Sequence, residues 1–113
     1  MRDLLIILKA LANPARLRIV KLLEAGELCV CDIITVVGLK QSTISKHLNI
    51  LKNAGLVDDR KDGTWAYYRL SKNSINEYNL FMNSVIKKCL NENEEVIKDK
   101  KKMNTACCCR KKE

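Results

Sequence analysis

LCVCDIITVVGLKQSTISKHLNILKNAG, residues Leu28–Gly55, reads as two helices joined by a tight turn. The second helix starts near Gln41, and Ile44, Leu48 and Leu51 recur at helical spacing to give it one apolar face. Ser42, Ser45, Lys46, Asn49 and Lys52 fall mainly on the opposite side, beside Gln41 and Thr43. That outer face is hydroxylic, amidic and cationic, and it carries no carboxylate. Ser, Asn and Gln can meet base edges in a DNA groove, and Lys can neutralise phosphate. Gly38 supplies the turn, and Gly55 ends the second helix. The pattern predicts a helix-turn-helix whose second helix faces outward to read DNA. The plainer alternative is a solvated polar face on an ordinary helical hairpin.

Charge agrees with an anionic partner. The 113-residue chain has a formal net charge of +8, carried unevenly. Residues 98–113 hold seven Lys/Arg against two acids, or +5, which leaves +3 for residues 1–97. Residues 38–72 alone hold seven basic against three acidic residues, or +4. Basicity thus concentrates on the reading segment and on the tail. A chain of this size forms one modest core. No apolar run reaches membrane-spanning length and no secretory leader is expected at the N-terminus, so a cytoplasmic protein is expected.

Upstream of the reading pair, Leu4, Leu5, Ile7, Leu8 and Leu11 make residues 2–11 a helix that needs a partner surface. Asn13-Pro14 marks a second helix, with Asn13 as N-cap and Pro14 at the first helical position. Leu17, Val20, Leu22 and Leu23 face inward from it, flanked by Arg16, Arg18 and Lys21, and Gly26 stops it. A short helix from about Cys29 to Val37 follows. Downstream, Asp62-Gly63 between β-prone runs predicts a hairpin, the wing, with Arg60, Lys61 and Thr64 near its tip for DNA backbone or minor groove. The hairpin also suits a structural cap on the core. A last helix is expected from about Ser74 past Glu92, where Ile75, Tyr78, Met82, Val85 and Cys89 form a coiled-coil-like seam beside Phe81 and Ile86. Such a stripe predicts a homodimer built with the first helix, which would present two reading helices to a palindromic double-stranded site. From Lys98 on, no apolar periodicity remains, and a mobile tail is expected.

The six cysteines are Cys29, Cys31, Cys89, Cys107, Cys108 and Cys109. Five crowd into two clusters, which suits soft-metal binding or redox chemistry in a reducing compartment better than a disulfide framework. Cys29 and Cys31 fall on opposite sides of a regular helix, so joint chelation requires a frayed or distorted helix end. A helix N-terminus also favours the thiolate. The alternative is that both are small core residues, and Cys89 on the seam reads that way too. Cys107–Cys109 read either as a metal-scavenging run or as plain tail. His47, the single histidine, sits beside the inner face of its helix and reads as structural.

Asn13-Pro14-Ala15-Arg16-Leu17-Arg18-Ile19, ELCVCD at 27–32, QSTISKHLNILKNAGLV at 41–57 and the wing resemble the ArsR/SmtB metalloregulatory repressors over roughly residues 5–90. The resemblance implies a mainly α fold with a β-hairpin, a homodimeric winged helix-turn-helix that leaves its operator on binding an inducer. It implies Gln41, Ser42, Ser45 and Lys46 as DNA-facing residues and Cys29 and Cys31 as inducer ligands. ELCVCD is the box of the family's arsenic and antimony sensors, and it also occurs in its cadmium and lead sensors. Two departures stand out. Arsenic sensors with this box often carry a third Cys where this chain has Ile34, and the cadmium-type N-terminal thiols are missing before Cys29. Cys107, Cys108 and Cys109 are then the expected source of a third thiolate, from the same or the partner chain. The family's zinc site needs His and carboxylate pairs that this chain lacks.

The expectation is a repressor with residues 1–95 as DNA-binding and dimerisation domain and 96–113 as a basic, Cys-rich flexible tail. As(III) or Sb(III) is the expected inducer, with Cd(II)/Pb(II) or thiol oxidation as alternatives. An enzyme such as a cysteine-based arsenate reductase is not expected, because neither cluster has an anion-cradling loop and there is no catalytic Gly-rich loop.

Overall fold

Asn13 opens the second helix as its sequence predicts. Its Oδ1 accepts from the Ala15 and Arg16 amides at 2.9 and 3.2 Å, and Pro14 occupies the first helical position. The computed structural model describes residues 1–71 and 77–105. Their order is α1 (Arg2–Leu11), α2 (Pro14–Leu23), β1 (Leu28–Cys29), α3 (Val30–Val37), α4 (Gln41–Asn53), β2 (Val57–Asp62), β3 (Trp65–Leu70), α5 (Glu77–Lys88) and α6 (Glu94–Thr105). This is a mainly helical winged helix-turn-helix.

Gly38 caps α3 in the left-handed region at φ 80°, and its amide donates back to the Ile34 carbonyl, so the chain turns at once into α4. Ile44, Leu48 and Leu51 of α4 are fully buried against Ile7, Ile19, Leu23, Ile33 and Val36. The wing closes through Gly63 at φ 64°, with Asp62 paired to Trp65 across the turn. The sheet order is β1-β3-β2, all antiparallel, with Leu28 opposite Tyr68 and Cys29 opposite Tyr67.

Three features differ from the sequence expectation. The third helix starts at Val30 rather than Cys29, because the Leu28–Cys29 backbone is taken up by pairing with β3 and Cys29 becomes the N-cap residue. Second, the seam divides. Tyr78, Met82 and Ile86, spaced by four, pack on the core, whereas Phe81 is 67% and Val85 37% exposed. Cys89 lies exposed beyond the end of α5 rather than in the seam; the expected contribution of Ile75 falls outside the described residues.

Third, the last helix does not run past Glu92. Lys21, expected on a flank, is buried, and its Nζ donates to the Ile86 carbonyl at 3.1 Å, to Asn91 Oδ1 at 2.8 Å and to Glu24 Oε2 at 2.9 Å. The ammonium satisfies a terminal carbonyl of α5 and fixes the bend. Asn93 then caps a new helix, its Oδ1 accepting from the Glu95 and Val96 amides. Thus α6 spans the boundary expected at 95/96, and Lys98–Thr105 is helical. Val96 and Asp99 are buried, and Arg18 meets Asp99 with Nε and Nη2 both at 2.8 Å. Among the described residues no helix is long and apolar enough to cross a membrane.

Candidate nucleic-acid interface and thiol pair

The apolar anchoring of α4 turns its other side outward. Gln41, Ser42, Ser45, Lys46 and Asn49 are exposed, with Thr43 half-buried among them. The first turn of α4 carries no acidic residue and no side-chain cap, so its free amides and dipole favour an anion there. Lys46 joins none of the ion pairs among the described residues, whereas Lys52 meets Asp59 of β2 at 3.1 Å. The face is continuous and available.

Arg16 secures this helix to the rest of the molecule. Its Nε donates to the Ala10 carbonyl at 2.6 Å and its Nη2 to Lys9, closing the end of α1, while Nη1 reaches His47 Nδ1 at 3.2 Å. Burial, then the Arg16 and Lys46 charges, hold His47 below its ordinary pKa, so the neutral imidazole accepts from the guanidinium. His47 is structural, as its position predicts. Arg16, taken from the sequence only as a flanking charge, is a tie between α1 and α4.

On the wing, Lys61 and Thr64 are exposed at the tip. Arg60 is exposed too, yet its guanidinium is turned back. It lies 4.5 Å over the Tyr67 ring and grips Glu27 through Nε at 2.8 Å and Nη2 at 2.7 Å. This pairing holds the Glu27 carboxyl below its usual range and raises Arg60. The contact joins residues 33 positions apart, and nothing in their local sequence signals it.

Cys29 is buried and Cys31 half-buried, at the joint where β1 passes into α3. Their Sγ atoms are 3.0 Å apart, with Cys29 a free thiol and Cys31 held in a disulfide. The distortion that a regular helix would demand is unnecessary, because Cys29 stands outside α3 in extended backbone at φ −71°, ψ 146°. Two thiolates bonded at about 2.3 Å to one soft ion stand roughly 3.3 Å apart when the angle at the ion is near a right angle. With Cys31 reduced, the two sulfurs lie close to the separation such an ion requires of two of its donors. No cluster of three His, Cys, Asp or Glu is placed for a metal among the described residues. Cys107, Cys108 and Cys109 lie outside the described residues.

Residues 13–59 match the model of the bacterial regulatory protein, arsR family. An uncharacterised HTH-type transcriptional regulator of Methanocaldococcus jannaschii is 51% identical over 72 residues, 63% of this chain and 81% of that protein. The arsenical resistance operon repressor of Escherichia coli is 55% identical over 64 residues, 56% of this chain and 55% of that protein, so the match spans little more than half of it. Among solved structures, the homodimeric winged helix-turn-helix DNA-binding domain Mb0332 from Mycobacterium bovis superposes with a TM-score of 0.66 at 35% identity, covering 80% of this chain and 81% of that one.

Proposed function

Because the chain belongs to the ArsR family of bacterial regulatory proteins, transcriptional regulators and not enzymes, we propose that it is a metalloid-responsive repressor acting in the cytoplasm. It binds palindromic double-stranded operator DNA as a homodimer and leaves it when As(III) or Sb(III) takes up the thiolates of Cys29 and Cys31. The observation that carries this reading is the 3.0 Å approach of the Cys29 and Cys31 sulfurs at a joint shared by both reading elements. From that joint α3 leads through Gly38 into α4, and β1 leads through β3 into the wing.

Gln41, Ser42, Thr43, Ser45, Lys46 and Asn49 of α4 would meet the groove, and Lys61, Thr64 and Arg60 the flanking backbone. Leu5 and Leu8 of α1 and Phe81 and Val85 of α5 are exposed apolar side chains on helices that pack together, which supports that pair as the dimer face. A soft ion supplies bonds to thiolates and displaces their protons. The remaining donor is assigned to Cys107–Cys109. Glu95 and Asp99 meet Arg18, while Met103 shares a cavity of about 420 Å³ with Leu22 and Ala25, so α6 runs parallel to α2. Its end therefore heads for the α2–β1 loop that leads into Cys29, and Cys107 follows Thr105 by two residues.

The test is fluorescence anisotropy of operator DNA titrated in parallel with As(III), Cd(II) and, without metal, peroxide. Cys29→Ser and Cys31→Ser are expected to keep repression and lose release by As(III). Removing residues 106–113 is expected to lower inducer affinity with repression retained. Full release in both single variants would make the two thiols packing residues. Release by Cd(II) alone would assign the site to a divalent ion. Reversible release by peroxide alone would make the pair a redox switch, a reading that the short Sγ separation also supports.

A further inference from the structure

The side chains of one sheet row connect the thiol strand to the wing. Cys29 pairs with Tyr67 across β1 and β3, and Tyr67 pairs with Arg60 across β3 and β2. Arg60 folds back along that row over the Tyr67 ring to reach Glu27, two residues before Cys29. Its Nε and Nη2 are both taken by the two oxygens of one carboxylate, and its Nη1 stands 4.0 Å from Asp62. A bidentate carboxylate occupies the same fork of donors that a phosphate takes. Of the basic residues expected to meet DNA from the wing, Arg60 is therefore sequestered by the protein while Lys61 is exposed.

The geometry points to Glu27 as a positioning residue for operator binding: its carboxylate stands in for a DNA phosphate on Arg60, and the operator must displace it. This inference rests on the DNA-binding reading above and concerns the protein without inducer. Both partners are partly open to solvent, which makes the exchange cheap and places the effect in affinity rather than in folding. The cation–π contact with Tyr67 stays available in either state, so Arg60 can swing between carboxylate and phosphate with its stem guided by the ring.

Four proteins test it: wild type, Glu27→Gln, Arg60→Gln and the double variant. Each is titrated against a duplex carrying the sequence that the wild type selects from a random pool, over a series of salt concentrations. Glu27→Gln is expected to bind about two- to fivefold more tightly, the size an exposed ion pair supports. Its salt slope should stay near that of the wild type, because Arg60 meets the same phosphate in both complexes, whereas Arg60→Gln should lower the slope by about one. Arg60→Gln and the double variant should match each other. Unchanged or weaker binding by Glu27→Gln would overturn the inference, and so would tighter binding that persists in the double variant, since that is a general charge effect. Should the wild type select no duplex at all, the DNA-binding reading falls and this inference with it. Selection without tighter binding by Glu27→Gln removes the inference alone.

Discussion

The reading face of α4 and the thiol joint of β1 and α3 are built in opposite ways. On α4 the anchoring residues Ile44, Leu48 and Leu51 are buried, and the residues proposed for DNA contact stand in the open. At the joint the proposed ligand Cys29 is itself 1% exposed, and Glu27, two residues before it, is engaged with the wing. A long polyanion is met by many weak contacts from a rigid exposed helix, which needs a firm footing and free side chains. A single soft ion is met by two or three strong bonds, which can afford a protected site where each shift presses on packed neighbours. The difference teaches where each end is vulnerable: the reading face through what lies beneath it, the joint through what crosses it.

The largest expected effect is on that footing. Leu48→Ala leaves a cavity under the reading helix, at a cost of about 2–5 kcal/mol. Urea unfolding should show this as a lower midpoint at constant slope, with operator binding lost in proportion to the unfolded fraction. A loss below about 1 kcal/mol would mean that α4 is not held by its apolar face.

Val85→Asp comes next. It places a charge on the apolar surface shared by α1 and α5, where a dimer would have to desolvate it at several kcal/mol per ion. Sedimentation should find monomers that retain the fold, with operator affinity reduced at least tenfold. An unchanged dimer would move the interface elsewhere.

Asp99→Asn acts on the side away from DNA. It leaves Arg18 facing a neutral partner in a largely buried site, and a cost of about 3 kcal/mol is expected. Arg18 Nη2 also lies 3.5 Å from the Val37 carbonyl at the end of α3, so the loss reaches the helix-turn-helix. Hydrogen exchange should show α6 released first and α3 loosened with it. Protection in α3 that stays at the wild-type level would confine the role of α6 to its own docking.

Lys46→Ala should weaken operator binding with the fold and dimer intact. If the ammonium meets backbone phosphate, the salt slope falls by about one. Wild-type affinity and slope would mean the reading face has been assigned to the wrong residues.

The smallest effect is that of pH through His47. Its folded-state pKa lies below the ordinary 6.5, chiefly from burial. The unfolded chain therefore takes up the proton first as pH falls. Its stabilisation is complete above about pH 6.5 and is lost as pH drops through the folded value. His47→Gln should flatten this acid-side decline in melting temperature. An equally steep decline in the variant would assign it to other groups.

What the sequence determined by itself is whatever a few neighbouring residues encode: the inner face of α4, the Asn13-Pro14 start of α2, the Gly38 turn and the Asp62-Gly63 hairpin. Even α6 had a local signal, since Asn93 precedes two glutamates at its first turn, but no apolar stripe followed to draw attention to it. Tertiary structure alone decided the rest. Lys21 is buried because α5 ends above it, and Asp99 because Arg18 lies 81 residues away to receive it. Cys29 and Cys31 converge because β3 captures the first of them into a strand, and Arg60 turns inward because Glu27 waits across the sheet. Helical periodicity and capping act within about four residues. Ion pairs and strand pairing between distant segments form only where the packed core brings those segments together, and no local pattern specifies them.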